Sequence, residues 1–334
     1  MNPHTHDWLT TEVVRGQHVE SSHRVAAVVM PRVGTPVRWG PAGVATYLRS
    51  VAKPFQTLAL MAAGVEETFG LSDEELALVT ASHAGEEYHH DLVARLLSRH
   101  GLGVEQLQCG VHAPYSGYER RRRVAAREPL SVLGNNCSGK HAGMLLFARQ
   151  LGADLGTYLD PGHPVQHAVV DMLERFCDQP VPPAVTAVDG CGAPTFFLPL
   201  ETVATAFWRL GDAQFLNEQG LLEKKLRLER AIAQYPRAFS GEGRLPYRFS
   251  GILPTGLLSK EGAEGVYVVW GDPGAVVLKV VDGSDRGYRF VVPDLLHKLG
   301  WIDTACHDEW RQIESPVVTN VAGRAVGTIR VAGL

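Results

Sequence analysis

The stretch Arg49-Ser-Val-Ala-Lys-Pro-Phe-Gln56 marks the point where a β-rich N-terminal region gives way to helical patterns. Ser50 and Lys53 are three residues apart, so they share one face of a helical turn. A neutral lysine amine beside a serine hydroxyl can take its proton and leave a nucleophile for acyl chemistry. Pro54 fits best in the first turn of a helix, because proline has no N–H. We therefore expect a helix that begins near Val51, with Ser50 at or near its N-cap and the positive end of the helix dipole facing both groups.

This motif also has an ordinary interpretation. Ser-x-x-Lys occurs by chance in many chains, and a serine at an N-cap needs no catalytic role. The catalytic interpretation therefore depends on what the rest of the sequence provides.

The composition is that of an ordinary soluble globular protein, with 334 residues, 45% of them apolar and 20% charged. The net charge of −4 argues against a nucleic-acid binder, and the four arginines at 120–123 are expected to form a solvated surface. The N-terminus lacks the features of a secretory signal, and no apolar stretch is long enough to cross a membrane. We therefore expect a cytoplasmic protein with neither nucleic-acid nor membrane partners.

The five cysteines, without close pairs, indicate free thiols or a metal site rather than a disulfide framework.

Sheet signals lie at both ends of the chain and helical signals lie in the middle. The β-rich runs are 11–15, 24–30, 36–39, 265–270, 275–281 and 287–292, and the tail 317–331 is typical of a hairpin around 322–323. The helical patterns are 86–100, 143–152, 164–177, 214–235 and 293–299.

These signals predict an α/β protein of the α+β type, with one antiparallel sheet built from N- and C-terminal strands and flanked by helices. We expect a single catalytic domain of two lobes, a sheet-containing lobe of 1–48 plus 245–334 and an inserted, mainly helical lobe of 49–244. Short βαβ alternation does not run through the chain, which disfavours a doubly wound sheet.

Two further segments have the composition of functional loops. In Val79-Thr-Ala-Ser-His-Ala-Gly-Glu86, Ser82 and His83 lie where a strand-like piece meets a helix, although a capping serine and a surface histidine would explain both residues. The segment Gly134-Asn-Asn-Cys-Ser-Gly-Lys-His-Ala-Gly143 nearly matches a P-loop, but His141 stands where a magnesium-binding hydroxyl belongs, so an ATPase is disfavoured. Its small, amide and thiol side chains at a helix start still favour close approach of a polar ligand.

Two more segments combine glycines with reactive side chains. Val188-Asp-Gly-Cys-Gly-Ala-Pro194 embeds Asp189 and Cys191 among glycines that let the backbone approach a ligand, or it is a tight turn with a buried cysteine. Leu258-Ser-Lys-Glu-Gly-Ala-Glu-Gly265 places Lys260 just before a strand, or it is a polar hairpin loop. Cys137 and Cys191 together could supply half of a zinc site, but spacing alone gives only a weak metal signal.

Taken together, and in this order along the chain, the motifs resemble the thermolabile, rhizobial-type L-asparaginase II family. The matching segments also include the opening Glu12-Val-Val-Arg-Gly16 and Lys260-Glu-Gly-Ala-Glu-Gly-Val266, so the resemblance spans nearly the whole chain. It implies hydrolysis of L-asparagine to aspartate and ammonia, a fold similar to serine β-lactamases and glutaminases, and a homodimer.

The resemblance also implies roles for individual residues. Ser50 with Lys53 looks like one Ser–Lys pair, and Ser82 with Lys260 looks like a second. The implied zinc ligands, for one Zn²⁺ per chain, are Cys137, Lys140 and Cys191. The implied lining of the substrate pocket is Arg49, Asn136, His141 and Asp189.

Several of these roles agree with elementary chemistry, and two others depend on the pKa of a lysine. A guanidinium matches a carboxylate in a bidentate fork, so Arg49 suits the substrate α-carboxylate, and Asp189 suits its α-ammonium. A lysine that binds zinc must be neutral, which requires a strongly lowered pKa. Glu261 beside Lys260 could raise the lysine pKa and weaken it as a base.

We therefore predict a cytoplasmic L-asparagine amidohydrolase that forms an acyl-enzyme. The alternatives are a glutaminase, a β-lactamase-like serine hydrolase and a non-catalytic protein that binds zinc or a small molecule. Discrimination between asparagine and glutamine depends on one methylene in the pocket, about 1–3 kcal/mol, which the sequence does not fix.

Overall fold

The computed structural model describes residues 5–334, which form two compact units. The sheet unit contains the described residues up to Val51 together with 197–211 and 251–334. The helical unit contains 52–196 and 212–250. Relative to the predicted lobes, residues 197–211 lie in the sheet unit rather than in the helical one.

Strands and helices follow one another in the following ranges. The strands are β1 (Thr5–His6), β2 (Leu9–Arg15), β3 (His18–Pro31), β4 (Val37–Trp39), β5 (Ala45–Tyr47), β6 (Thr186–Val188), β7 (Pro194–Pro199), β8 (Leu257–Gly262), β9 (Val266–Gly271), β10 (Gly274–Val280), β11 (Val317–Thr319) and β12 (Ala325–Ala332). The α-helices are α1 (Lys53–Ala62), α2 (Val65–Thr68), α3 (Asp73–Val79), α4 (Glu87–Arg99), α5 (Gly117–Ala126), α6 (Ser138–Gln150), α7 (Pro164–Cys177), α8 (Leu200–Arg209), α9 (Ala213–Glu218), α10 (Leu222–Gln234), α11 (Pro236–Phe239), α12 (Leu245–Phe249), α13 (Asp285–Lys298) and α14 (Thr304–Ile313). Short 3₁₀ turns lie at Arg49–Ala52, Val104–Gln106, Val132–Gly134 and Pro183–Val185. Within residues 5–334, no helix is both long and apolar enough to cross a membrane.

The main sheet of the sheet unit combines strands from both ends of the chain, which confirms the predicted fold class. Its strand order is β11-β12-β2-β3-β10-β9-β8, and each neighbouring pair is antiparallel. β3 joins the two halves, because its first part pairs with β2 and its second part pairs with β10. Val28 of β3 lies opposite Val277, which in turn lies opposite Val268 of β9, so valines cross the centre of the sheet.

The C-terminal segment 287–292 corrects the sequence analysis, which predicted a strand there. Its residues belong to α13, which packs against β2, β3 and β10. Tyr288, Val291, Val292 and Leu295 are all buried, and their spacing of three and four residues matches one helical face rather than the alternation of a strand. The sequence analysis missed this helical period because the segment contains β-branched residues, which favour a strand.

Pro293 lies inside α13, where a proline normally weakens a helix because it cannot donate to the carbonyl four residues earlier. Here that carbonyl belongs to Arg289, and it accepts a hydrogen bond from the indole Nε1 of Trp310 at 3.3 Å. Trp310 is fully buried on α14. A tertiary contact therefore satisfies the backbone group that Pro293 leaves without a helical partner.

The helical unit confirms the predicted helical region, with changes at element ends. α7 has the predicted bounds, α6 begins earlier than predicted, and the predicted helix 214–235 is interrupted between α9 and α10. The strand-like piece before Ser82 is the last turn of α3, so its prediction as a strand is wrong. Within the unit, α1 packs against α6, α7 and α10, and nearly every residue of α1 is buried.

The start of α1 also differs from the prediction. The helix begins at Lys53 with Ala52 as its N-cap, and Pro54 lies in the first turn as predicted. Ser50 lies in the preceding 3₁₀ turn and is not the cap. The backbone of Arg49 has φ of +50°, a left-handed conformation that is uncommon for residues other than glycine. This conformation stops the helix from extending further back along the chain.

Buried histidines pack around the start of α4 in the helical unit. His83 and His89 are fully buried, and their rings stack with centroids 4.5 Å apart. His89 accepts from the Glu86 N–H at 3.2 Å through Nδ1 and donates from Nε2 to the Arg237 carbonyl at 2.8 Å. A ring that accepts at one nitrogen and donates at the other is neutral. Burial accordingly lowers the pKa of His89 from its ordinary 6.5 to about 4.

This lowered pKa predicts acid sensitivity. Between pH 6.5 and about 4 the unfolded chain binds a proton at His89 that the folded chain excludes, so the free energy of unfolding falls as pH falls through that window. His89→Gln should flatten this dependence by up to ~1.4 kcal/mol per pH unit in urea titrations. The matched control is the same substitution at an exposed histidine, His18→Gln. An unchanged slope in His89→Gln would contradict the prediction.

Candidate active site

The amine of Lys53 occupies the centre of the helical unit's polar cluster. The residue is 1% exposed, and its Nζ lies 2.9 Å from Ser82 Oγ and 3.2 Å from Cys137 Sγ, with a third hydrogen bond to the Ala81 carbonyl. Lys53 Nζ donates to all three partners, which are the Ala81 carbonyl, the Ser82 hydroxyl and the Cys137 sulfur. Burial lowers the pKa of Lys53 below its ordinary value, against the opposing charge of Cys137.

Two predicted segments, 82–86 and 134–141, are held together by backbone contacts that require glycine. The His83 N–H donates to the Asn136 carbonyl at 3.1 Å, and His83 Nε2 lies 3.0 Å from Ser138 Oγ. Gly85 has φ of +72°, and a Cβ there would lie 2.6 Å from the Gly134 carbonyl oxygen. Any side chain at Gly85 would therefore separate the segments that carry Ser82 and Cys137.

Cys137, Lys140 and Cys191 converge, as the sequence analysis predicts from the family resemblance. All three are at least 95% buried, and Lys140 Nζ lies 3.0 Å from Cys191 Sγ. A hydrogen bond from the Cys191 thiol lowers the pKa of Cys137, and the charges of Lys53 and Lys140 add to this effect against burial. The same hydrogen bond, together with burial, raises the pKa of Cys191.

These directions describe a charge-balanced cluster. Burial alone would lower the pKa of Lys140, but the negative charge of Cys191 and Cys137 outweighs burial and raises it. These directions favour the thiolate of Cys137, the thiol of Cys191 and the ammonium of Lys140, and burial shifts Lys53 toward its neutral form. All five cysteines of the chain are free.

The donor set fits a metal ion only if the lysine takes part. Among the described residues, no group of three or more His, Cys, Asp and Glu side chains is arranged to hold a metal. Two adjacent thiols are donors that zinc prefers, and Lys140 would be the third ligand once deprotonated. Cys137, Lys140 and Cys191 are therefore the residues that would hold such an ion.

His141 presents a buried donor near this cluster. The Tyr158 hydroxyl accepts from the Gln108 N–H at 2.9 Å, so its own proton goes to His141 Nδ1 at 2.8 Å. The His141 Nε2 must then carry the ring proton, and it has no hydrogen-bond partner of normal geometry, although it interacts with the Cys191 sulfur. Burial lowers the pKa of His141 to about 4, so the ring is neutral. The His141 Nε2 therefore faces the Cys191 sulfur at the edge of the cluster.

The sequence analysis missed His112, which orients Asn136. Its Nδ1 lies 2.7 Å from the Ala113 carbonyl, so Nδ1 carries the proton and Nε2 is an acceptor. Nε2 accepts the Asn136 N–H at 3.0 Å and also lies 3.1 Å from the Asn136 side-chain oxygen Oδ1, so His112 contacts both the backbone and the side chain of Asn136. Nothing in the sequence marks this isolated histidine, because the contact spans 24 residues.

Asp189 and Cys191 lie in a tight turn, as one of the two sequence interpretations has it. The Asp189 N–H donates to the Ala193 carbonyl at 2.8 Å, and the Gly192 N–H donates to the Asp189 carbonyl at 2.9 Å. The Asp189 carboxylate is half-buried and helps to raise the pKa of Lys140. The turn therefore brings a carboxylate to the edge of the cluster formed by Lys53, Cys137, Lys140 and Cys191. We call this group the thiol–amine cluster.

Arg49, Ser50 and Lys260 belong to the sheet unit. Ser50 is 9% exposed, and it follows the left-handed Arg49 directly. Lys260 is 2% exposed on β8, where neighbouring residues point to opposite faces. Glu261 lies 3.3 Å from the Tyr288 hydroxyl, so its carboxylate points to the face opposite Lys260. The pairings of Ser50 with Lys53 and of Ser82 with Lys260 stay predictions, and the hydrogen bond from Lys53 to Ser82 is an additional contact.

Several solved structures are similar to this chain at low identity. A probable glutaminase from Bacillus subtilis, complexed with 6-diazo-5-oxo-L-norleucine, is 12% identical, with 83% of this chain and 85% of that chain covered and a TM-score of 0.40. A β-lactamase from Mycobacterium bovis is 13% identical, with 87% and 94% covered and a TM-score of 0.34. A β-lactamase from Sphaerobacter thermophilus is 10% identical, with 88% and 91% covered and a TM-score of 0.35. No curated protein matches the sequence.

The family assignment rests on a separate match. A family model described as L-asparaginase II covers residues 11–331, which include every candidate site residue named above. The chain therefore belongs to the L-asparaginase II family.

Proposed function

We propose that this amidohydrolase converts L-asparagine to L-aspartate and ammonia through an acyl-enzyme on Ser50, with Lys53 as general base. The observation that supports it most is the buried Lys53 amine, whose surroundings favour the neutral form that a base needs. The match to the L-asparaginase II family across 11–331 supports the choice of substrate.

In the proposed reaction, Lys53 takes the hydroxyl proton of Ser50 as Oγ attacks the side-chain amide carbon of asparagine. The C–N bond then breaks, and the leaving nitrogen takes the proton from Lys53 and departs as ammonia. Water repeats the sequence on the resulting ester, so that aspartate and free Ser50 are released. Ser82, hydrogen-bonded to Lys53, would hold the amine in place during both transfers.

Substrate recognition is proposed to use charge complementarity. The guanidinium of Arg49 would bind the α-carboxylate in a bidentate fork, and the carboxylate of Asp189 would bind the α-ammonium. The Nε2–H of His141, which lies near the Cys191 sulfur, would donate to a substrate oxygen. Asn136, positioned by His112, would present its side-chain amide to the substrate.

We also propose a zinc ion held by Cys137, Lys140 and Cys191, one per chain, in a homodimer. When bound, such an ion would supply Lewis-acid charge that orients the substrate, since a serine already provides the nucleophile. With zinc in place both cysteines must be thiolates and Lys140 must be neutral. Relative to the metal-free cluster, Cys191 and Lys140 would each lose a proton.

The rival substrates are L-glutamine and a β-lactam. A single methylene changes discrimination by only about 1–3 kcal/mol, so glutamine is the nearer rival. Ammonia release from L-asparagine and L-glutamine, together with hydrolysis of a chromogenic β-lactam, separates these activities. Absence of turnover with all three would leave a protein that only binds zinc or a small molecule.

The nucleophile assignment predicts a pattern among serine variants. Ser50→Ala and Lys53→Met should each lower kcat by at least ~10³-fold, because members of a catalytic unit are not additive, and the double variant should be little worse than either. Ser82→Ala should lose less, because it removes only a hydrogen-bond partner of Lys53. Steady-state ammonia release tests this. Near-normal turnover in Ser50→Ala would overturn the assignment.

The metal assignment predicts about one zinc per purified chain by elemental analysis, and its loss in the Cys137→Ala/Cys191→Ala double variant. Cys306→Ala is the matched control, because Cys306 is a half-buried cysteine outside the cluster. Chelation of folded enzyme should raise KM for L-asparagine more than it lowers kcat. A wild-type protein that contains no zinc after growth with added zinc, or one that keeps its zinc in the double variant, would rule the site out.

A further inference from the structure

Two loops of the helical unit, 110–116 and 240–244, are attached to the segment that carries Ser82. The first loop is held at its end, where the Ser116 N–H donates to the Ala84 carbonyl at 2.9 Å. The second loop follows α11, whose last carbonyl accepts the Ser82 N–H at 3.2 Å. Both loops therefore lie against a segment that the sequence analysis identified as part of the site.

The second loop approaches this segment closely because it contains a glycine. Gly241 has φ of +93°, and a Cβ there would lie 2.7 Å from the Ala84 Cβ. The next residue, Glu242, donates its N–H to the carboxylate of Glu86 at 2.6 Å. Arg244 follows as the N-cap residue of α12. These contacts hold the backbone that leads to Arg244 against the segment.

The guanidinium of Arg244 joins the second loop to the first. Its Cζ lies 4.8 Å from the centroid of the Tyr115 ring, which is a cation–π contact. The Tyr115 ring lies 5.2 Å from the ring of His112, which contacts Asn136. The chain of contacts therefore runs from Arg244 to a predicted residue of the substrate pocket.

The charge of Arg244 acts on the same region. Burial is the main cause that lowers the pKa of His83, and the positive charge of Arg244 adds to it. Arg244 is half-buried and Tyr115 is 53% exposed, so this cation is not sealed in the protein interior. A partly accessible guanidinium thus lies beside two of the predicted site segments, 82–86 and 134–141.

The contact with Tyr115 suits a role in binding a carboxylate. A guanidinium stacks on an aromatic ring through its face, whereas its N–H donors lie in its plane and point outward. Those donors match the two oxygens of a carboxylate. An α-carboxylate is the group that distinguishes an amino-acid amide from a simple amide.

We propose that Arg244 is a specificity-determining residue that binds the α-carboxylate of the amino-acid substrate, while Tyr115 holds its guanidinium in position. The inference rests on the proposed amidohydrolase function and adds a cation of the helical unit to Arg49 of the sheet unit. A carboxylate has about four lone-pair sites, so it can accept hydrogen bonds from two guanidiniums.

Kinetics with and without the carboxylate test the proposal. The compound 3-aminopropanamide is L-asparagine without its α-carboxylate. Arg244→Gln should lower kcat/KM for L-asparagine by about 10- to 100-fold, mainly through KM, the range for a hydrogen bond to a charged group, and should leave kcat/KM for 3-aminopropanamide unchanged. Arg244→Lys keeps the charge without the fork and should recover part of the loss. The matched control, Arg95→Gln, removes an exposed arginine of α4 and should change neither value.

Variants of Tyr115 test the positioning role without removing the arginine. Tyr115→Ala should lower kcat/KM for L-asparagine by about two- to five-fold, the range for an exposed cation–π contact, with no change for 3-aminopropanamide. Tyr115→Phe keeps the ring and should behave like the wild type. Equal kinetics of Tyr115→Ala and the wild type would contradict the positioning role.

A binding measurement separates this inference from the proposed activity. Calorimetry compares L-aspartate with 3-aminopropanoate, which lacks the α-carboxylate, and needs no turnover. The wild type should bind L-aspartate more tightly, and Arg244→Gln should remove that preference. Absence of turnover together with this binding pattern would overturn the proposed function and support the role of Arg244.

Three results would overturn the inference itself. The first is a wild type that shows no preference for L-aspartate over 3-aminopropanoate. The second is an Arg244→Gln variant that keeps the wild-type preference for L-asparagine or L-aspartate. The third is an equal loss in Arg95→Gln, which would mean that net charge rather than a contact is responsible.

Discussion

The burial of the Lys53 amine is the constraint on which the rest of the site depends. A lysine that is 1% exposed cannot keep its charge unless the protein supplies counter-charge, and here the nearest counter-charge is shared with a second lysine. The three partners of Lys53, to each of which Nζ donates, fix the position of its amine. The packing of α1 into the helical unit thus holds this amine against the end of α3, where Ser82 follows.

The same need for compensating charge applies to the whole thiol–amine cluster. Cys137 touches Lys53, Cys191 touches Lys140, and the two thiols share a hydrogen bond, so one protonation state constrains the others. Without such pairing, four buried ionisable groups would cost several kcal/mol each in desolvation. The arrangement also explains why two cysteines 54 residues apart lie together, which a metal ion would reinforce.

Much of the fold and of the candidate site could be predicted from the sequence, because both depend on local sequence patterns. Hydrophobic period and turn residues predicted the sheet from both chain ends and the helices between them, and five separate motifs predicted the family. The errors have physical causes. α13 is rich in β-branched residues and contains Pro293, whose missing N–H is compensated by Trp310, a contact that only the tertiary fold provides. The left-handed Arg49 and the contact between His112 and Asn136 are likewise set by the tertiary fold.

The proposed reaction passes through an ester on Ser50 with Lys53 as its base. Rapid-quench mass spectrometry during turnover of L-asparagine detects such an intermediate. We expect a β-aspartyl ester on the peptide that contains Ser50, formed at least as fast as steady-state turnover and missing in Ser50→Ala. An ester on Ser82, or turnover with no serine ester at all, would contradict it.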